Sequence, residues 1–122
     1  MKYLMEIENF KNLFEGKTGQ IKDDFENLYA YDHIVAYRKA SILDKDNNIV
    51  KVIGNQKYVL DIGQIKYVYK MLNDKVNYNV IFNSSITYET FITSEKILFA
   101  SSRKKDVIDY FKMLKTAKLY NL

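Results

Sequence analysis

Apolar positions change their period twice along this chain. Tyr3, Ile7, Phe10 and Phe14 recur at spacings of four, three and four, the stripe of an amphipathic helix, and Gly16 ends it. After a loop over 16–19, Ile21, Phe25, Leu28 and Tyr29 repeat the helical spacing, with Asp23 and Asp24 suited to the positive end of a helix dipole. One or two short helices are therefore expected in residues 1–30.

From Tyr31 the period falls to two. Ile34, Ala36, Ala40 and Ile42 share one strand face, interrupted by Arg38. Asp44, Lys45, Asp46, Asn47 and Asn48 are turn formers, and Ile49 to Ile53 is a β-branched run. Gly54-Asn55 suits a hairpin turn before a strand over Lys57 to Ile62. The segment Gln64 to Leu72 fits either period, and its Tyr-Val-Tyr content favours a strand. Val76, Tyr78, Val80 and Phe82 alternate with Asn77, Asn79, Ile81 and Asn83, the cleanest strand signal in the chain. Ile86 to Thr93 and Lys96 to Ala100 complete an antiparallel meander of about six to seven strands over residues 31–100.

In residues 101–122 the helical period returns. Ser101 and Ser102 offer N-cap oxygens, and Val107, Phe111 and Leu114, flanked by Ile108, Tyr110 and Ala117, define a buried stripe running to about Lys118. The fold class expected is α+β, with short N-terminal helices, an antiparallel meander that is flat or bent into a barrel-like form, and a C-terminal amphipathic helix. With 122 residues and no internal repeat or linker, one domain is expected over 1–122.

Composition narrows the chemistry. The chain has no cysteine, which removes disulfides, thiolate nucleophiles and sulfur-ligated metals. Glu6 and Glu8 interrupt any apolar signal-peptide core, and no apolar run approaches the ~20 residues of a membrane span, so a cytoplasmic location in a producer or host cell is expected. Abundant Lys, Asn, Ile and Tyr, with arginine only at positions 38 and 103, reflect an AT-rich genome such as that of a low-GC bacterium or its phage.

The net charge of +4 is uneven. Residues 1–30 hold four lysines against six acids, residues 31–100 nine basic against seven acidic groups, and residues 101–122 six against two. The last segment therefore equals the whole excess. Ser101-Ser102-Arg103-Lys104-Lys105 places three cations where a helix begins, against its dipole, and Lys112, Lys115 and Lys118 extend the charge. A solvated helix face explains such a run in most proteins. The sharper alternative is an anion-binding patch formed by Arg103, Lys104, Lys105, Lys112 and Lys115.

Other candidate motifs fail on spacing. Gly16-Lys17-Thr18 lacks the phosphate loop's earlier glycine, since Lys11 stands there, and it follows a helix-like segment. Asp44, Asp46 and Asn48 begin like a calcium loop, but Ile49 and Asn55 occupy the positions that need Gly and Glu. His33 is the sole histidine and has no local nucleophile or carboxylate motif beside it. Asp23 and Asp24 diverge on a helix, and Asp61 and Glu89 meet only if the fold brings them together. No metal or other cofactor is expected, and the case for an enzyme is weak.

Tyrosine supplies the second candidate surface. Tyr67, Tyr69, Tyr78 and Tyr88, among eleven tyrosines, fall in neighbouring strands where they could share a sheet face. Such rings serve protein interfaces and also stack on bases, although tyrosine is in any case a good strand former. The expectation is a non-enzymatic interaction protein, a small regulator or inhibitor of a protein partner such as a phage or mobile-element anti-defence protein. A nucleic-acid binder using the basic helix and the tyrosine face is the alternative, and a homodimer is compatible with either.

Overall fold

A computed structural model describes residues 21–42, 44, 49–83 and 89–120. Seven strands, β1 (Ile21–Lys22), β2 (His33–Lys39), β3 (Val50–Ile53), β4 (Gln56–Lys70), β5 (Val76–Phe82), β6 (Glu89–Thr93) and β7 (Ile97–Ser101), are followed by one helix, α1 (Lys104–Leu119). All pairings are antiparallel. The order across the sheet is β1-β7-β2-β4-β5-β6, with β3 also paired to β4. The helix expected over 1–14 lies outside the described residues.

The two segments read as separate strands over 57–62 and 64–72 are one strand of 15 residues. Gly63 stands between them, but it keeps an extended backbone and pairs with Phe82 within the strand, so no turn forms there. The β2 strand pairs with the first half of β4, whereas β3 and then β5 pair with β4 from its other side. At the β3–β4 turn Gly54 takes a φ of +60°, the first-position geometry of a II′ hairpin.

The connection from β6 to β7 forces the sheet to roll. These strands lie at opposite ends of the β7-β2-β4-β5-β6 run, yet only a 3-10 turn over Ser94–Lys96 joins them. A three-residue link spans only about 10 Å, so β6 must come over β2. The roll stays open: β6 pairs with β5 and not with β7. Of the flat and barrel-like forms that the sequence left open, the sheet takes neither in full: it rolls without closing into a barrel.

Rolling produces two cores, one on each face. Ile34, Ala36, Ile65, Tyr78, Val80, Phe82, Ile92, Ile97 and Ala100 fill the concave side. Gly63 faces this interior, where an added Cβ would lie 2.5 Å from Val80 Cγ1. Absence of a side chain lets β4 bend closely past β5. On the convex side Val35, Leu60, Ile62 and Phe99 receive Val107, Tyr110 and Leu114 of α1, and Phe99 stacks on Tyr110 with centroids 4.3 Å apart. The helix buries Val107, Tyr110, Leu114 and Ala117, while Phe111 is only half-buried. The buried seam is thus rotated from the expected one towards Tyr110.

The second N-terminal helix is corrected. Ile21 and Lys22 form β1 against Ser101 and Ala100, and residues 23–31 are irregular. Phe25 and Leu28 keep a helical spacing because both turn towards the concave core. Their backbone is claimed from outside: the Tyr78 hydroxyl donates to Phe25 O at 2.6 Å and accepts from Leu28 N–H at 3.1 Å. Asp24, expected in a helical first turn, instead accepts from Glu26 N–H and the Asn27 amide.

Candidate partner-binding surface

A change of phase inside β4 builds the candidate surface. Up to Ile65, odd-numbered residues face the concave core, with Ile65 opposite Val80. Register then shifts, so Tyr67 lies opposite Asn79 and Val68 opposite Tyr78. Lys66 is the extra residue of a β-bulge. Beyond it the even-numbered Val68 packs inward and Tyr67 and Tyr69 point outward.

The convex face here carries a row of aromatic rings. Tyr67, Asn79 and Phe91 are consecutive partners across β4, β5 and β6, and Tyr69 lies opposite Asn77. Tyr69 meets Phe91 edge-on at 5.7 Å and Tyr67 at 6.3 Å. These rings are 57%, 44% and 62% exposed for Tyr67, Tyr69 and Phe91, and Ile81 beside them is also exposed. The helix α1 covers β2, β7 and the first half of β4 and leaves this end of the same face open.

Two of the four tyrosines read from sequence therefore meet on one face. Tyr78 does not join them: it is fully buried on the opposite, concave face, and burial pushes its phenol up from the usual value. Tyr88 lies outside the described residues. Phe91 is the member that tyrosine counting missed, and its alternation with Ile92 was the available signal.

Beside this face runs a groove of about 530 Å³ between residues 26–30 and residues 66–70. Its wall is set by a compact turn in which Asp32 accepts from Tyr29 N–H at 2.9 Å and returns its own N–H to Tyr29 O. Tyr31, with φ of +73°, redirects the chain there. Beyond it Tyr31 N–H bonds to Ile65 O and Asp32 O accepts from Ile65 N–H, so the lead into β2 joins β4. Lys66 lies over the Tyr31 ring and Lys22 over the Tyr29 ring, at 5.8 and 5.2 Å from the centroids.

The basic stretch at α1 is differently arranged. Neither Ser101 nor Ser102 is the N-cap; Arg103 is, and its side chain caps no helix amide. The Arg103 guanidinium instead pairs with Asp106 at 2.7 Å, and the Ser101 hydroxyl donates to the same carboxylate at 2.6 Å. Burial opposes ionisation of Asp106, but bonds from Arg103 and Ser101 outweigh it and hold the carboxyl below its usual range. Lys104, Lys105 and Lys112 are exposed, and Lys115 lies over the Phe111 ring. The cations thus form a loose surface row, with Arg103 engaged by its own helix.

Asp44 of the rejected calcium pattern serves Arg38. This guanidinium bonds Asp44 at 2.6 Å and Asp61 at 2.9 Å, which explains an arginine within an apolar strand. The bond from Arg38 holds the Asp44 carboxyl below its usual range. His33 is half-buried; burial and then Lys104 hold its imidazole below 6.5, against Asp32. Among the described residues no three His, Asp or Glu side chains gather as metal ligands, and no helix is long and apolar enough to cross a membrane. Comparison of the chain with protein-family models, with curated proteins and with solved structures finds no match.

Proposed function

We propose that this protein acts by binding a protein partner, as a small non-enzymatic regulator or inhibitor, through the convex face of β4, β5 and β6. The observation that carries this reading is the contact row of Tyr67, Tyr69 and Phe91, exposed where α1 stops. Rings with one side packed and the other wet are the side chains that anchor protein interfaces. The test is affinity capture from host lysate with and without nuclease, using the native protein and a Tyr67→Ser/Phe91→Ser variant. A partner retained after nuclease and lost with the variant supports the reading; capture unaffected by the variant overturns it.

Nucleic-acid binding is the second reading, favoured by the lysines poised over Tyr29 and Tyr31 and by the row along α1. Stacking on exposed rings beside cations is the chemistry of single-strand binders. Its mark is affinity that falls steeply with salt. Capture abolished by nuclease favours it over a protein partner.

A further inference from the structure

Among the described residues, the edge of β4 that faces the groove is an open strand edge. Met71 N–H donates to Lys75 O, which fixes the phase of the β4–β5 ladder. In an antiparallel ladder, residues alternately bond their partner strand and turn their polar groups away. With Tyr69 opposite Asn77 and Tyr67 opposite Asn79, Tyr69 and Tyr67 bond β5. The N–H and C=O of Val68 and Lys70 then point to the other side. On that side β2 and its lead pair with β4 only as far as Ile65. Residues 28–30 stand off and form the far wall of the groove, without a backbone bond to β4.

An unpaired strand edge is satisfied by another extended chain. From this the geometry points to a more specific role, which rests on the protein-partner reading above: the groove receives an extended acidic segment of another protein, added as a strand to β4 at Val68 and Lys70. Charge selects the class of segment. Lys66 and Lys70 line the groove against one acid, Glu26, and Lys22 lies over the Tyr29 ring of the wall. Alternation selects the pattern. Side chains of an added strand would turn by turns towards Leu28 and Val68 and towards the convex face beside Lys66, so apolar and acidic residues should alternate.

The test uses the full chain and three blocked eight-residue peptides: one alternating glutamate with valine, one alternating lysine with valine, and the glutamate peptide with every second amide N-methylated. Binding is followed by amide NMR shifts and hydrogen exchange. The glutamate peptide should shift and protect the Val68 and Lys70 amides. The lysine peptide should not bind, and N-methylation should abolish protection. Lys66→Glu should weaken the glutamate peptide by roughly threefold, as expected for losing and reversing one surface pair on the convex side. Val68 and Lys70 amides already protected in the free monomer would mean that the chain covers its own edge, and would overturn the proposal. Protection that appears with concentration and a dimer in sedimentation would assign the edge to a second copy, with the same consequence. Equal binding of the N-methylated peptide would also overturn strand addition. A captured partner lost with Tyr67→Ser/Phe91→Ser but indifferent to Lys66→Glu would leave the protein-partner reading standing and remove this one.

Discussion

The Tyr78 hydroxyl donates to Phe25 O at 2.6 Å across 53 positions of sequence, pinning the segment before β2 to the middle of β5. Through its second bond, from Leu28 N–H, the same oxygen fixes one wall of the groove. Tyr78→Phe keeps the packed ring and removes both bonds. It should cost about 1–3 kcal/mol, because the buried Leu28 amide loses its partner. Urea unfolding measures the loss, and hydrogen exchange should show it concentrated at Leu28.

Gly63 tests the rolled sheet. Gly63→Ala would press a methyl group against Val80 Cγ1 and Phe82 Cδ1, at 2.5 and 2.9 Å before any adjustment. Overpacking of this kind costs about 1–3 kcal/mol. Thermal unfolding should show the drop, with the largest NMR shifts on β4 and β5. An unchanged midpoint would contradict the close approach.

Arg38 and Asp61 are both buried and bonded to one another. Removing one partner leaves a buried charge poorly compensated, so Asp61→Ala should destabilise by about 3–5 kcal/mol. Asp44 retains one arm of the arginine, which places the expectation towards the lower end of that range. Chemical denaturation of the variant at neutral pH checks it.

Stability should fall in acid through Asp44 and Asp106. Both carboxyls are held below their ordinary value of 3.8, Asp44 by Arg38 and Asp106 by Arg103 and Ser101 against its burial. A depressed folded-state value means that the ionised form is preferred on folding. The stabilisation is therefore complete above the unfolded value and is lost as pH falls through and below it. Denaturation midpoints should be flat with respect to these groups near neutrality and decline below about pH 4. Asp106→Asn should lower the neutral midpoint and make that decline shallower.

Hydrophobic period alone determined much of this protein. The alternation of Val76 to Phe82, the β-branched run before Gly54-Asn55 and the apolar stripe of residues 107–117 each mark an element whose type is set by the local period and propensity of its own side chains. Position by position, Tyr67 and Tyr69 were also legible as candidate surface residues. Tertiary structure decided what those elements do together. Phe25 and Leu28 have helical spacing, yet the side chain of Tyr78 takes their backbone groups, so no helix forms. A bulge at Lys66 reverses the phase of β4, which sends Tyr67 and Tyr69 to one face while Tyr78 remains on the other. Arg103 looked like a free cation until Asp106 folded back against it. These outcomes depend on register shifts and contacts between residues far apart in the chain, or on side-chain bonds that compete with local propensity. The period of a single segment carries neither.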